Sequence, residues 1–184
     1  MREPGVQRAS VGIWDDGGAR PVRFCPQCGG PLALERVPRD PKERLVCQKC
    51  HAIHYQDPKV SACTIPVISG KVVLVRRAID PGRGLWVFPG GFMDRYETVE
   101  EAAMRETKEE VNLDVRLTHL VGVYSYHTSI VVVVVFACEV LGGDLRCDTE
   151  SDAVASFAEA EVPWDQLAFP STRQALHDFF NKRT

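Results

Sequence analysis

The chain has 184 residues, 45% of them apolar, and a formal net charge of −3. That length buries one good-sized core with a small satellite module, and the charge excludes a protein that grips nucleic acid or anionic membrane by electrostatics alone. No stretch approaches the ~20 apolar residues of a membrane helix; the run Ile130 to Phe136 is short and β-branched, and reads as a buried strand.

In chain order, residues 1–24 carry Glu3, Asp15 and Asp16 and have no apolar centre. They read as a flexible tail and not as a secretory signal, although a short organellar address stays open. Cys25-Pro-Gln-Cys28 and Cys47-Gln-Lys-Cys50 follow as two CxxC pairs separated by 18 residues. Thiolates paired in that way can close a tetrahedral zinc site with no open position, so the expected role of the metal is structural. A redox CxxC is the rival, but that motif usually stands singly beside a βαβ pattern. His51 and His54 read as ordinary polar residues at the ribbon's exit, and Cys63, Cys138 and Cys147 as small apolar packing groups. An odd total of seven cysteines fits a reduced, cytoplasmic setting better than a disulfide framework.

Lys59 to Ile68 reads as a strand, Ser69-Gly70 as a tight turn, and Lys71 to Arg77 as the hairpin partner. A loop rich in Pro and Gly, Ala78 to Gly84, leads to the apolar run Leu85 to Phe88. Pro89, Gly90 and Gly91 then read as breakers that end a strand and turn the backbone sharply. Further strands are expected near Leu117–Tyr124, Ile130–Val140 and Ala153–Phe157, with a closing helix from Ser171 to Phe180.

Between Gly91 and Leu113 a helical segment places Glu106, Glu109 and Glu110 within a few residues of Arg105. Steps of three and four residues return to one side of a helix, so the three carboxylates are expected to cluster. An acidic run is usually a solvated face; the alternative is a site for a hard cation such as Mg²⁺, which takes carboxylate oxygens. The apolar stripe of Val99, Ala102 and Ala103 continues into Glu106 and Glu110, so one face changes from packing to acidic. Arg105 and Glu109 lie about 40° apart around the helix, close enough for a charge-assisted hydrogen bond.

Gly91, Glu97, Arg105-Glu106 and Glu109-Glu110 with closing Leu113 resemble the box of the Nudix hydrolases, which act on nucleoside diphosphates linked to another moiety. The resemblance implies an α/β fold, the Nudix α/β/α sandwich with a mixed sheet, preceded by a small zinc ribbon. It implies Glu106 and Glu110 as ligands of Mg²⁺ or Mn²⁺, Glu109 as ligand or base, Glu97 as an outer supporting residue, and Gly91 as the box glycine. Glu150 on a later loop is a second candidate base. Many relatives carry another Glu at the position of Ala153, which this chain lacks. Departures are Asn112 where the helix usually ends on Gly, Thr107 where a hydrophobic residue is common, and Tyr96 where Gly often precedes the first Glu. Asn112 is expected to keep the left-handed turn.

A cysteine ribbon ahead of such a box is similar to the subgroup that includes NADH pyrophosphatases and hydrolases of ADP-ribose or FAD. The expected domains are a tail over 1–24, a ribbon over 25–56 and a hydrolase domain over 57–184. The SQPWPFPxS signature of NADH pyrophosphatases is absent: Val121 to Ser129 reads VGVYSYHTS. The tail VPWDQLAFPS, Val162 to Ser171, resembles that of the ADP-ribose and FAD enzymes. The expected substrate is therefore ADP-ribose-like, with FAD and NAD(H) as rivals. Tyr124, Tyr126 and Trp86 are candidates to stack on a base or to sit in the core. The alternative reading is a nucleotide-sensing regulator or RNA-processing factor that uses the mildly basic ribbon on nucleic acid. A homodimer is expected by analogy alone.

Overall fold

A computed structural model describes residues 22–182; the expected tail lies, up to residue 21, outside the described residues. The chain divides into two compact units on either side of Pro58 and Lys59. The first is a three-stranded antiparallel sheet of β1 (Leu32–Arg36), β2 (Glu43–Cys47) and β3 (Ile53–His54), in the order β1-β2-β3. Leu32 pairs with Cys47 and Val46 with Ile53, which carries both cysteine knuckles to one end of the sheet. The β1–β2 turn is closed by Asp40, which accepts from the Lys42 N–H at 3.0 Å and from Arg44 Nε at 2.7 Å.

The second unit is built on β4 (Lys59–Ile68), β5 (Lys71–Arg77), β6 (Trp86–Val87), β7 (Gly90–Phe92), α1 (Val99–Val111), β8 (Asp114–Ser125), β9 (Val131–Gly142), β10 (Ser151–Phe157) and α2 (Pro170–Asn181). The main sheet runs β10-β5-β4-β9-β8, with β6 on β5 and β7 on β4. It is mixed: β4 and β9 are parallel, from Lys59 opposite Val131 to Val67 opposite Glu139, and the other pairings are antiparallel. Two helices cover its two faces because side chains alternate along β4 and β9. Ala62 and Phe136 pack with Ala102 and Ala103 of α1, whereas Cys63, Ile65, Val135 and Ala137 pack with Ala175, Leu176 and Phe179 of α2. This is the α/β/α sandwich expected from the sequence.

One expectation needs correction. Gly90 and Gly91 do not merely break a strand: they form β7, with Gly91 opposite Ala62 and Gly90 opposite Cys63. A Cβ on Gly90 would lie 2.6 Å from the Cys63 Cα, so only glycine allows this pairing. The other strands and the closing helix sit where periodicity places them, extended by a few residues where backbone pairing continues past the apolar run.

Helix α1 is fixed at both ends. Thr98 Oγ1 accepts from the Glu101 N–H at 3.1 Å, and Glu101 returns a carboxylate oxygen to the Thr98 N–H at 2.7 Å, a reciprocal capping box. Asn112 ends it in the left-handed region at φ 55°, and its side-chain amide donates to the Asp144 carbonyl at 2.9 Å. The buried Thr107 hydroxyl donates to the Ala103 carbonyl at 2.7 Å and lies 2.6 Å from the equally buried Thr64 hydroxyl. The polar residue at a usually hydrophobic position is thus matched by a second one on β4. Thr107→Val takes from the Thr64 hydroxyl its oxygen partner and leaves it only the weak Cys138 thiol, an expected cost of about 1–3 kcal/mol, whereas Thr64→Val with Thr107→Val together restores most of that loss. Urea denaturation of the three variants measures the cycle.

Tyr96 is fully exposed at φ 73°. Its side chain packs on nothing, while its backbone takes a conformation that glycine holds without strain. Tyr96→Gly is expected to raise stability by up to about 1 kcal/mol, read as an upward shift of the thermal midpoint.

Candidate metal centres and their family

The four ribbon cysteines converge. Their Sγ atoms all lie within 4.8 Å of one another, with Cys25 to Cys50 at 3.8 Å and Cys28 to Cys47 at 3.5 Å. A tetrahedron with zinc–sulfur bonds of about 2.3 Å has edges of about 3.8 Å, so the donor set fits zinc. The backbone N–H groups of Cys50 and Lys49 donate to Cys47 Sγ at 3.4 Å each and draw its thiol down to about 6, which favours the ligating thiolate. His51 turns the chain after the second knuckle at φ 61°, its N–H donating to the Cys47 carbonyl at 3.0 Å.

The carboxylates of the second unit are arranged differently from the simple cluster that helical spacing implies. Among the described residues the four cysteines are the one set of three or more metal-ligand side chains that closes together; Glu106, Glu109 and Glu110 do not. Arg105 branches between three of the acidic residues, and Glu110 is held elsewhere, by the Gly90 N–H. Arg105 Nε and Nη2 hold Glu97 at 3.0 and 2.7 Å, and Nη1 reaches Glu106 at 2.8 Å and Glu109 at 3.1 Å. Glu97 is held below the usual carboxylate range by Arg105, assisted by the Asp94 N–H that it accepts at 2.5 Å. Glu109 remains largely in solvent, its side chain 58% exposed, while the Glu106 side chain is only 14% exposed.

Glu106 and Glu110 lie against β7. A Cβ on Gly91 would meet the Glu106 carboxylate at 2.5 Å, and the Gly90 N–H donates to Glu110 at 3.0 Å. Burial raises Glu106, although Arg105 opposes the shift. Glu110 is pushed up to about 8 by burial and by the charges of Glu106 and Asp148, against the lowering effect of the Gly90 N–H. Two half-desolvated carboxylates facing a glycine-lined strand suit a hard divalent cation, which would stabilise both in charged form.

The loop before β10 completes this neighbourhood. The Asp148 N–H donates to the Glu110 carbonyl at 3.1 Å and the Arg146 N–H to that of Val111 at 3.3 Å, which bring Asp148 and Glu150 beside the end of α1. Arg77, at the end of β5, has its charge disfavoured by burial and favoured by Glu110 and Glu150. Asp148 and Arg77 were not singled out from the sequence. Only an acidic loop of the pattern Asp148-Thr-Glu150 hinted at the first.

The NUDIX domain family matches residues 57–180, and the Nudix N-terminal zinc-ribbon family matches residues 23–56. The chain belongs to the Nudix hydrolase family. A NUDIX hydrolase of Nitrosomonas europaea superposes on it with a TM-score of 0.84 at 41% identity, covering 88% of this chain and 92% of that one. An ADP-ribose pyrophosphatase of Methanocaldococcus jannaschii is 35% identical over 119 residues, 62% of this chain and 69% of that protein. An NAD-capped RNA hydrolase NudC of Pseudomonas fluorescens is 29% identical over 143 residues, 77% of this chain. The chain spans about half of that NudC protein, 48% of its length.

For this Nudix protein the ribbon is expected to carry about one zinc per chain, falling below about a tenth after Cys47→Ser or chelation of the metal. Atomic emission measures the metal. Hydrogen exchange is expected to show lost protection over Leu32–His54 with β4–α2 retained.

Proposed function

We propose that this Nudix protein hydrolyses the diphosphate bridge of a nucleoside diphosphate linked to a sugar, ADP-ribose being the archetype, and that residues 57–184 carry the activity behind a ribbon over 25–56. The observation that carries this reading is the pair Glu106 and Glu110, desolvated against Gly90-Gly91 and braced by Arg105. In it, Glu106 and Glu110 would hold Mg²⁺ or Mn²⁺ with Glu109 completing the set. Such a cation, when bound, would neutralise the diphosphate and open a phosphorus to attack.

The chain's own groups do the rest. Arg105 and Glu97 are positioning residues: the double hydrogen bond between them fixes the guanidinium, which in turn aims Glu106 and Glu109. A carboxylate takes the proton of the attacking water as its oxygen bonds to phosphorus and the bridging P–O bond breaks, releasing AMP and a sugar phosphate. Glu109, exposed and anchored, is one base, and Glu150 beside Arg77 is the other. The zinc is structural.

The absence of the SQPWPFPxS signature supports ADP-ribose over NAD(H), and the name of the Methanocaldococcus jannaschii relative supports it over FAD. The NudC relatives favour a second reading, NAD-capped RNA, with the mildly basic ribbon as the nucleic-acid contact. No helix among the described residues is long and apolar enough to cross a membrane. A cytoplasmic homodimer is part of the proposal.

A screen of ADP-ribose, NADH, NAD, FAD, diadenosine polyphosphates and NAD-capped RNA with Mg²⁺ or Mn²⁺, scored by AMP release, is expected to single out ADP-ribose. Glu106→Gln is expected to remove activity, and the substitution of the true base, Glu109→Gln or Glu150→Gln, to lower kcat by about 10²–10⁴. Absence of turnover on every compound overturns the proposal; preference for capped RNA replaces its substrate.

A further inference from the structure

The loop before β10 is fastened to α1 at one end and to β5 at the other. At the first end the Arg146 N–H donates to the Val111 carbonyl at 3.3 Å and the Asp148 N–H to the Glu110 carbonyl at 3.1 Å. At the second, the Ala78 N–H donates to the Glu150 carbonyl at 2.7 Å, and Ser151 then pairs with Arg77 as β10 begins. One side chain spans the interval: Asp148 Oδ1 accepts from the Glu150 N–H at 3.1 Å. Both backbone polar groups of Glu150 are therefore engaged, the N–H by Asp148 and the carbonyl by Ala78.

We propose that Asp148 is a positioning residue of the hydrolysis, holding Glu150 in place as the base that takes the proton of the attacking water. The proposal rests on the reading of the chain as a diphosphate hydrolase and chooses between its two candidate bases.

Those candidates are held in opposite ways. Glu109 has a carboxylate oxygen on Arg105 Nη1, so a proton arriving there competes with a charged donor. Glu150 is exposed, and among the described residues nothing hydrogen-bonds to its carboxylate. A base needs an open oxygen at a fixed place, since a displacement of ~1 Å can cost ~10²-fold in rate. Glu150 offers the open oxygen, and its backbone supplies the fixed place. The short Asp148 side chain suits the task, because it closes onto the N–H two residues on. Without that acceptor the peptide between Thr149 and Glu150 turns freely, and the direction of the Glu150 side chain turns with it. Attachment of Asp148 to the Glu110 carbonyl keeps the whole clamp beside the acidic end of α1.

Asp148 also acts on Glu110 through its charge. Asp148→Ala and Asp148→Asn both remove that charge, but asparagine keeps an oxygen that can accept from the Glu150 N–H. The test is steady-state kinetics of the full chain on ADP-ribose with Mg²⁺, together with exchange of the Glu150 amide proton followed by NMR. Asp148→Ala is expected to lower kcat about tenfold or more, with KM changed less than about twofold and protection of the Glu150 amide lost. Asp148→Asn is expected to restore most of the rate and the protection. Placed on Glu150→Gln, Asp148→Ala is expected to cost less than about a further twofold, because the group it positions is already gone. An unchanged kcat in Asp148→Ala, an Asp148→Asn as slow as Asp148→Ala, or a full second loss on top of Glu150→Gln overturns the role of Asp148. The two readings fail separately. No turnover of ADP-ribose by the unaltered chain overturns the proposed reaction and this role with it, whereas turnover with any of those three outcomes overturns the role alone.

Discussion

Two like charges held out of water, Glu106 and Glu110, are the constraint on which the second unit turns. Burial raises both carboxylates, Glu110 to about 8, so the fold must supply compensation or let them protonate. It supplies some locally, through the Gly90 N–H and Arg105 Nη1. A bound cation would supply the rest. The same packing requires glycine at residue 91, where a side chain would occupy the space of the Glu106 carboxylate itself. Close approach of strand and helix is therefore what seats the Glu106 carboxylate.

Such an approach needs α1 to be held without play. Ala102 and Ala103 bring its backbone close to Ala62 and Phe136, and the Thr64–Thr107 pair fixes its rotation by a directional contact where an all-apolar seam would let it slide. The capping box sets where the helix begins, and Asn112 in the left-handed region sets where it ends. Directly after that end, the 146–150 loop hydrogen-bonds to the last carbonyls of α1, satisfying orphan acceptors while carrying Asp148 and Glu150 to the site. Helix termination and the assembly of this acidic neighbourhood use the same backbone atoms.

Local pattern carried much of this into the sequence. The hairpin of β4 and β5 announces itself by β-branched runs on either side of Ser69-Gly70, the ribbon by its paired CxxC spacing, and α1 by an apolar stripe that turns acidic. The features that were not legible depend on partners far along the chain. Helical spacing alone places Glu106, Glu109 and Glu110 together; it cannot show that Glu97, eight residues before Arg105, takes two of the arginine's hydrogen bonds, that Glu106 and Glu109 share its remaining nitrogen, or that Glu110 turns to the Gly90 N–H. Gly90 and Gly91 read as breakers because glycine in a strand usually weakens it; only the close presence of Cys63 makes glycine the residue that permits the pairing. Thr107 reads as a departure until Thr64 is found opposite. Tyr124 and Trp86, considered as base-stacking residues, are engaged elsewhere: the first in a buried bond to Asp178, the second edge-on to Phe157 at 5.0 Å.

The same contrast separates two regions of the second unit. Glu106, Glu109 and Glu110 sit on one helix, and Glu106 and Glu110 lie against its neighbouring strand, held by glycine contacts, caps and a branched arginine network. A cleft of about 400 Å³, lined by Tyr126, Phe169, Arg173 and His177 among others, draws on the β8–β9 turn, the segment before α2 and α2 itself, joined by Tyr124–Asp178 and Lys182–Val121. Residues in that second group can change shape and polarity without moving Glu106 or Glu110, since neither hydrogen bonds to them. Arg77 is the exception, because it faces Phe169 on one side and the field of Glu110 and Glu150 on the other. Any change that displaces its guanidinium alters the lining of the cleft and the charge balance of the acidic site together, so this one side chain limits how independently the two regions can vary.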